Sequence, residues 1–318
     1  MFKSAVSTTF FFLFSLFVNT ASASDVGADS ESWPRTFTSV DGSKVEIKAK
    51  PQRILSASVS ITGTLLAMKA PVVASSTAAN GQYFAQWDKV AKERGVDKLW
   101  SAGGVSLEMA YLYTPDLIVV SVNGGDTVYP QVEQLQQIAP TIVLDYGKQS
   151  WESLALQLAQ ATGQEKETDI LLQHFASLVK EGKEALQLPE GQVNIISYFG
   201  AGTVNPVSLP TSPHAVLLQQ LGFTIESADL AWQPKDKPVS DFVWAQYEHL
   251  TQLTAPTTFL LSGTAKEADV FMADPILANL PSVKNKQVYG LGANSFRIDY
   301  YSAQEIISDM VARFSQHK

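Results

Sequence analysis

The chain has 318 residues, 45% hydrophobic and 17% charged, which is too apolar for a disordered chain and long enough for two ordinary domains. It contains no cysteine, which excludes disulfide frameworks, thiolate metal sites, cysteine nucleophiles and cysteine-linked lipid anchors together. Twenty-three Lys and Arg against 31 Asp and Glu give a formal net charge of -8, a balance that argues against general nucleic-acid binding but permits an anionic ligand in a locally positive pocket.

Lys3, the apolar run Phe10 to Val18 and the small residues Ala21-Ser22-Ala23 predict a cleavable signal peptide over 1–23 with cleavage after Ala23. The run is too short to span a bilayer. This places the mature protein, free of the membrane, in an exported compartment such as the periplasm. Residues 24–32 are small and acidic and read as a disordered leader. A hairpin follows, Thr36 to Val40 and Lys44 to Ile47 around the turn Asp41-Gly42.

From there short apolar runs alternate with amphipathic segments, the mark of a parallel α/β sheet. Strands are expected at Arg53 to Ser56, Val72 to Ser75, Asp116 to Ser121 and Thr141 to Asp145. Helices are expected at Thr62 to Lys69, Ser106 to Tyr113, Val128 to Ile138 and Trp151 to Thr162. Gln164 to Leu188 has no proline and one glycine, and Leu171, Phe175, Leu178, Gly182 and Ala185 keep one helical face. A second α/β region follows. Its expected strands are Val193 to Tyr198, Phe223 to Glu226, Thr257 to Leu261 and Gln287 to Leu291. Its expected helices are Ala215 to Leu221, Asp241 to Leu253, Val270 to Leu280 and Tyr301 to Phe314. The fold class is therefore α/β, with an N-terminal lobe over 33–163, one inter-lobe helix over 164–188 and a C-terminal lobe over 189–318. Ligand sites in open α/β lobes lie at the carboxyl ends of strands, so a cleft between the lobes is expected.

Catalytic signatures are missing. There is no G-x-S-x-G elbow and no phosphate loop. The four histidines, His174, His214, His249 and His317, are scattered and form no metal-binding pair. No catalytic residue and no metal ligand is assigned. What recurs after the strands is glycine, small polar residues and an aromatic: Tyr83, Trp100, Tyr146, Phe199 and Trp232. Each alone is ordinary core-edge packing, and together they suit a flat, apolar or aromatic ligand. Arg297, between the last strand and the last helix, either pairs with Asp299 on the surface or points its fork of donors into the cleft at an anionic ligand. Glu108 and Glu248 near helix starts either favour the helix dipole or carry a function of their own.

These residues spell a resemblance. Pro51-Gln52-Arg53-Ile54-Leu55, Ser106-Leu107-Glu108 with Pro115-Asp116-Leu117-Ile118, and the mid-chain helix resemble the helical-backbone substrate-binding proteins of ABC importers for iron-siderophore complexes, haem and vitamin B12. Trp33-Pro34-Arg35, Gln86 to Arg94, Leu280 to Tyr289 and Phe296 to Ser302 look like its ferric-enterobactin (catecholate siderophore) binding members, and the likeness covers essentially 33–315.

The resemblance implies a periplasmic protein, likened to a monomeric carrier, that captures a ferric catecholate siderophore. It would pass the siderophore to an inner-membrane ABC permease and its ATPase. Glu108 and Glu248 would meet basic residues of the permease. Arg297, Trp232, Tyr83, Trp100, Tyr146, Phe199 and Tyr300 would hold the ligand. No cofactor is implied, because the iron arrives already chelated. Two family features are absent: an Arg in the loop Thr77 to Gly81 and a Trp near Asn205-Pro206-Val207-Ser208. Trp232, Lys235 and Lys237 are the candidates to replace them. The alternatives are a haem or corrinoid binder, with Tyr83 or Tyr146 ligating iron, and, from another class, a secreted esterase or siderophore hydrolase.

Overall fold

The computed structural model describes Met1 and residues 32–315. The signal peptide, its cleavage site and the leader expected before Ser32 lie outside the described residues, Met1 apart. The hairpin forms as expected, with β1 (Arg35–Thr38) antiparallel to β2 (Lys44–Ile47). Asp41 closes its turn by accepting from Ser43 N at 3.0 Å. Val40 N donates to Val143 O at 3.0 Å, and Val143 N to Ser39 Oγ at 3.0 Å, which ties the hairpin to the edge of the first sheet.

That sheet has five parallel strands: β3 (Ile54–Ser56), β4 (Val72–Thr77), β5 (Asp97–Ser101), β6 (Leu117–Ser121) and β7 (Thr141–Leu144), in the order β5-β4-β3-β6-β7. The strand order reverses between β3 and β6, the kind of switch point where open α/β sheets bind ligands. Five helices accompany these strands: α1 (Val59–Ala67), α2 (Ala85–Glu93), α3 (Leu107–Leu112), α4 (Val132–Gln136) and α5 (Trp151–Thr162). Two elements escape the sequence reading. β5 begins with Asp97-Lys98 and is a partly exposed edge strand, so it lacks an apolar run. α2 lies where no helix was expected. α1 starts three residues earlier than expected because Ser58-Val59-Ser60-Ile61 alternates like a strand.

α6 (Glu165–Ala185) is the long helix, about 32 Å at 1.5 Å per residue. Its buried stripe is Thr168, Phe175 and Gly182, each two turns apart, while Ala185, expected on this face, is exposed. A Cβ at Gly182 would come within 2.9 Å of Ile307 Cγ2, so only glycine permits this approach to the last helix.

The second lobe contains β8 (Gln192–Ile196), β9 (Val204–Ser208), α7 (Pro213–Gln220), β10 (Thr224–Ile225), β11 (Phe242–Gln246), β12 (Thr257–Leu260), α8 (Ala265–Met272), α9 (Pro281–Lys284), β13 (Val288–Gly290) and α10 (Tyr300–Phe314). Its sheet runs β11-β9-β8-β12-β13 with β10 beside β8. It is mixed rather than parallel, because β9 is antiparallel to both β8 and β11. The expected helix over Asp241 to Leu253 is wrong: it is β11 followed by a 3-10 turn at Tyr247–Gln252. Val243, Tyr247 and Leu250 happen to fall at i, i+4 and i+7, which imitates a helix. β9 was hidden by Pro206 in mid-strand. The helix expected over Val270 to Leu280 ends at Met272 instead, and α9 lies beyond it.

The lobes are not joined by α6 alone. One buried cluster runs from Ile54, Leu65 and Leu117 through Trp151 and Phe175 to Val193, Phe259, Ile306 and Met310. α10, the last element of the chain, packs on α6 and also on α1 and α2 of the first lobe. From Trp33 onward the chain forms a single compact unit.

Candidate ligand site

A cavity of about 530 Å³ opens between the lobes. Its walls come from the carboxyl ends of strands in both sheets: Gly124 after β6, Tyr146 after β7, Phe199 after β8, Leu261 after β12, and Phe296 and Arg297 after β13. β11 adds Phe242 and Trp244, and the loop before it adds Lys237 and Asp241.

Arg297 is the centre of the site. Its guanidinium carbon lies 4.7 Å from the Tyr146 ring centroid and 4.6 Å from that of Phe296. Nη2 donates to Tyr146 Oη at 3.2 Å. Tyr146 Oη donates in turn to Asp126 Oδ1 at 3.0 Å, and Asp126 Oδ2 accepts from Ser58 Oγ at 2.7 Å and Ser60 N at 2.9 Å. A hydrogen-bonded chain thus runs from the second lobe into the first. Burial pushes the Tyr146 phenol up to about 12, opposed by the Arg297 charge, so it remains a neutral donor. Gly124 is required beside it: φ is +93°, and a Cβ there would lie 1.8 Å from Tyr146 Oη. Of the two placements expected for Arg297, the structure has the one facing the cavity. Asp299 instead caps α10, accepting from Tyr301 N at 2.9 Å and Ser302 N at 3.0 Å.

A second cation faces the same cavity. Lys237 Nζ lies 4.7 Å from the Trp244 ring centroid. Gln233 secures this pair: its Oε1 accepts from Trp244 N at 2.9 Å, while its Nε2 donates to the carbonyls of Lys237 at 3.2 Å and Pro238 at 3.1 Å. Trp244 is not among the expected ligand residues, because the sequence pattern over β11 reads as helix. Its signal is positional, since Phe242 and Trp244 alternate along a strand and share a face. Pro206 of β9 is the residue opposite Trp244. A tryptophan therefore stands against the Asn205 to Ser208 segment after all, supplied from the adjacent strand.

Arg297, Tyr146 and Phe199 are brought together in the cavity; the other four expected ligand residues are not among its lining. Tyr83 is buried with its hydroxyl on Val96 O at 3.2 Å, and Trp100 is buried in a separate core cluster of the first lobe. Trp232 stacks on His249 with ring centroids 5.4 Å apart. Tyr300 sits where α10 meets α6, its hydroxyl 2.9 Å from His174 Nδ1. Of the candidate substitutes, Lys237 lines the cavity; Trp232 and Lys235 do not.

Glu108 and Glu248 are both exposed. Glu108 is in the first turn of α3, where Ser106 Oγ caps the helix by accepting from Met109 N at 3.2 Å. The two motifs flanking this helix meet in space. Asp116 accepts from Gln52 N at 2.7 Å and Arg53 N at 2.9 Å, and Arg53 Nη2 donates to Tyr113 O at the end of α3 at 2.8 Å. Tyr111 and Leu112, 72% and 71% exposed, stand at i+3 and i+4 from Glu108 on the same helical face. Glu248 lies in the 3-10 turn rather than on the expected helix, next to Tyr247, whose hydroxyl donates to Asp274 at 2.5 Å.

This fold and cleft define a two-lobed substrate-binding protein. The chain belongs to the periplasmic-binding-protein family, whose model matches residues 54–222. It is 39% identical over 292 residues to the ferric enterobactin-binding periplasmic protein FepB of Escherichia coli O6:H1, covering 89% of this chain and 91% of that one. Among solved structures it is similar to holo-ViuP, at 50% identity and a TM-score of 0.89 over 90% of this chain and 96% of that one. The periplasmic catecholate-siderophore binding protein VctP of Vibrio cholerae shares the fold, with a TM-score of 0.64 at 17% identity over 88% of this chain and all of that one (100%).

Proposed function

We propose that this protein captures a ferric catecholate siderophore of the enterobactin type in the periplasm and delivers it to an inner-membrane ABC importer. One observation carries the reading: Arg297 and Lys237, each lying on an aromatic face, line one cavity whose walls are otherwise largely aromatic and aliphatic. A ferric catecholate presents flat aromatic rings around a negative centre. Rings suit Trp244, Phe199 and Phe296 by stacking, and the negative charge suits the two cations, against one lining carboxylate, Asp241. The relation to FepB supports the same ligand class.

In this reading the protein is a monomeric carrier, not an enzyme, exported by a signal peptide cleaved after Ala23. It holds no resident cofactor, because its iron is cargo. Glu108 and Glu248 dock on the permease, with Tyr111 and Leu112 adding apolar contact beside Glu108. The geometry disfavours iron ligation by tyrosine, since the hydroxyls of Tyr83 and Tyr146 are already engaged.

The test is tryptophan-fluorescence titration with ferric enterobactin, a linear ferric catecholate, a ferric hydroxamate, haemin and cobalamin. Tight quenching by the catecholates alone is expected. Quenching by haemin or cobalamin with indifference to catecholates would overturn the ligand assignment. For docking, Glu108→Lys is expected to abolish siderophore-dependent uptake with binding affinity unchanged; lost affinity would move Glu108 from the docking face to ligand binding.

A further inference from the structure

A second cavity, of about 10 Å³, shares Tyr146, Asp241 and Arg297 with the large one and is otherwise lined by residues that include Ser60, Trp151 and His214. Trp151 opens α5 in the first lobe, and His214 lies at the start of α7 in the second. The volume is on the order of what one water oxygen needs, about 10–15 Å³. Three of its lining residues carry a buried polar atom without a hydrogen bond: Trp151 Nε1, His214 Nδ1 and Arg297 Nε.

The chemistry of the three atoms is complementary. His214 Nε2 lies 2.8 Å from Ser295 O, and a carbonyl only accepts, so Nε2 carries the proton. Burial pulls the imidazole well below its ordinary range, to about 4, so the ring is neutral near pH 7. In that tautomer Nδ1 is a bare acceptor. Trp151 Nε1 and Arg297 Nε are donors only. Two donors and one acceptor around a water-sized space match the two lone pairs and one O–H of a water molecule. Asp241 is at hand for the second O–H.

We infer that this small cavity is a binding site for one water molecule shared by Trp151, His214 and Arg297, and that Trp151 and His214 thereby position the guanidinium that anchors the ligand. The water joins the two lobes beside the contact of Arg297 with Tyr146 Oη, since Tyr146 lines the same small cavity, and it fixes the Nε edge while leaving the remaining Nη donors for the ligand. The positioning step rests on the catecholate reading; the water site does not.

Two histidine variants separate the ring's two bonds. In His214→Gln the amide nitrogen keeps the Ser295 bond and the acceptor at Nδ1 is lost. In His214→Asn the amide oxygen stands in for Nδ1 and the Ser295 bond is lost. The expected result is affinity for ferric enterobactin weakened about 10-fold in His214→Gln, as for one lost bond to a charged group, and close to unaltered in His214→Asn. Trp151→Phe removes the indole N–H and is expected to weaken binding about 3-fold, with no further loss in the double variant with His214→Gln, because the shared water is already gone. The reverse order of the histidine variants, or additive losses in the double variant, would overturn the positioning role. A high-resolution structure of the ligand-free protein decides the site itself: density for a water bonded to all three atoms supports it, and an empty cavity refutes it. If ferric enterobactin does not bind the unaltered protein, the ligand reading fails while that density still decides the water site.

Discussion

The two walls of the cleft are built on different principles. The first lobe, an all-parallel sheet, contributes backbone and one tyrosine: Asn123, Gly124, Gly125, Tyr146 and Gly147. Its single large side chain is held by Asp126, itself buried and bonded to Ser58 and Ser60. The second lobe, a mixed sheet, contributes bulk and both cations, and its antiparallel β9–β11 pair is what carries Pro206, Phe242 and Trp244 to the cavity. The first wall is lean and fixed by buried hydrogen bonds, so it orients Arg297. The second supplies the surface that a ligand touches.

That division ranks the expected effects of substitution. Arg297→Ala joins both losses and should weaken ferric enterobactin about 100-fold, near 3 kcal/mol, measured by fluorescence titration. Trp244→Ala should cost about 10-fold and remove much of the quenching signal, whereas Trp232→Ala, outside the cavity, should leave affinity unchanged. Equal losses at the two tryptophans would break the assignment of the contact surface to β11. Gly124→Ala probes the orienting wall. It must displace Tyr146 Oη, so affinity should fall several-fold while a ligand-independent thermal midpoint also drops, by an amount corresponding to about 1–3 kcal/mol.

The smallest effects concern pH. Asp299 is buried at the start of α10 and its carboxyl is raised by that burial to about 6, although it accepts from Gln86, Ser302 and Tyr301. Its stabilising contribution is complete below the ordinary value of 3.8 and is lost as pH rises through 6. His214 runs the other way: ordinarily near 6.5 and depressed to about 4, it costs stability as pH falls from 6.5 to 4. Over pH 4–6 the two slopes oppose. Asp299→Asn should therefore make the thermal midpoint fall more steeply between pH 6 and pH 4 than in the unaltered protein, as followed by circular dichroism. An unchanged slope would show that Asp299 does not titrate in this window.

The lobes and the long helix are legible in the sequence because buried parallel strands read as apolar runs and α6 lacks any breaker. β9 and β11 are not legible, since Pro206 interrupts one and an accidental helical spacing disguises the other, and Trp244 vanished with them. The site shows the same split. Arg297, Tyr146 and Phe199 follow strand ends and were found by that rule. The rule also selected Tyr83, which does follow β4, and Trp100, which lies inside the unexpected β5; both turn into the first lobe's core. A sequence records that an aromatic residue ends a strand; which way the ring turns depends on packing from elements distant in the chain. Trp151 and His214 show this most plainly, for nothing near either residue in sequence announces that they share one small cavity.

The packing of α10 against α1 and α2 has a consequence for the order of events in the cell. Ile306, Ile307 and Met310 of that helix belong to the same buried cluster as Ile61, Leu65 and Trp87 of the first lobe. During synthesis, the elements of the first lobe therefore expose an unfinished apolar face until α10 has been made. Folding ahead of α10 is disfavoured by this architecture, because it would leave that apolar face in water.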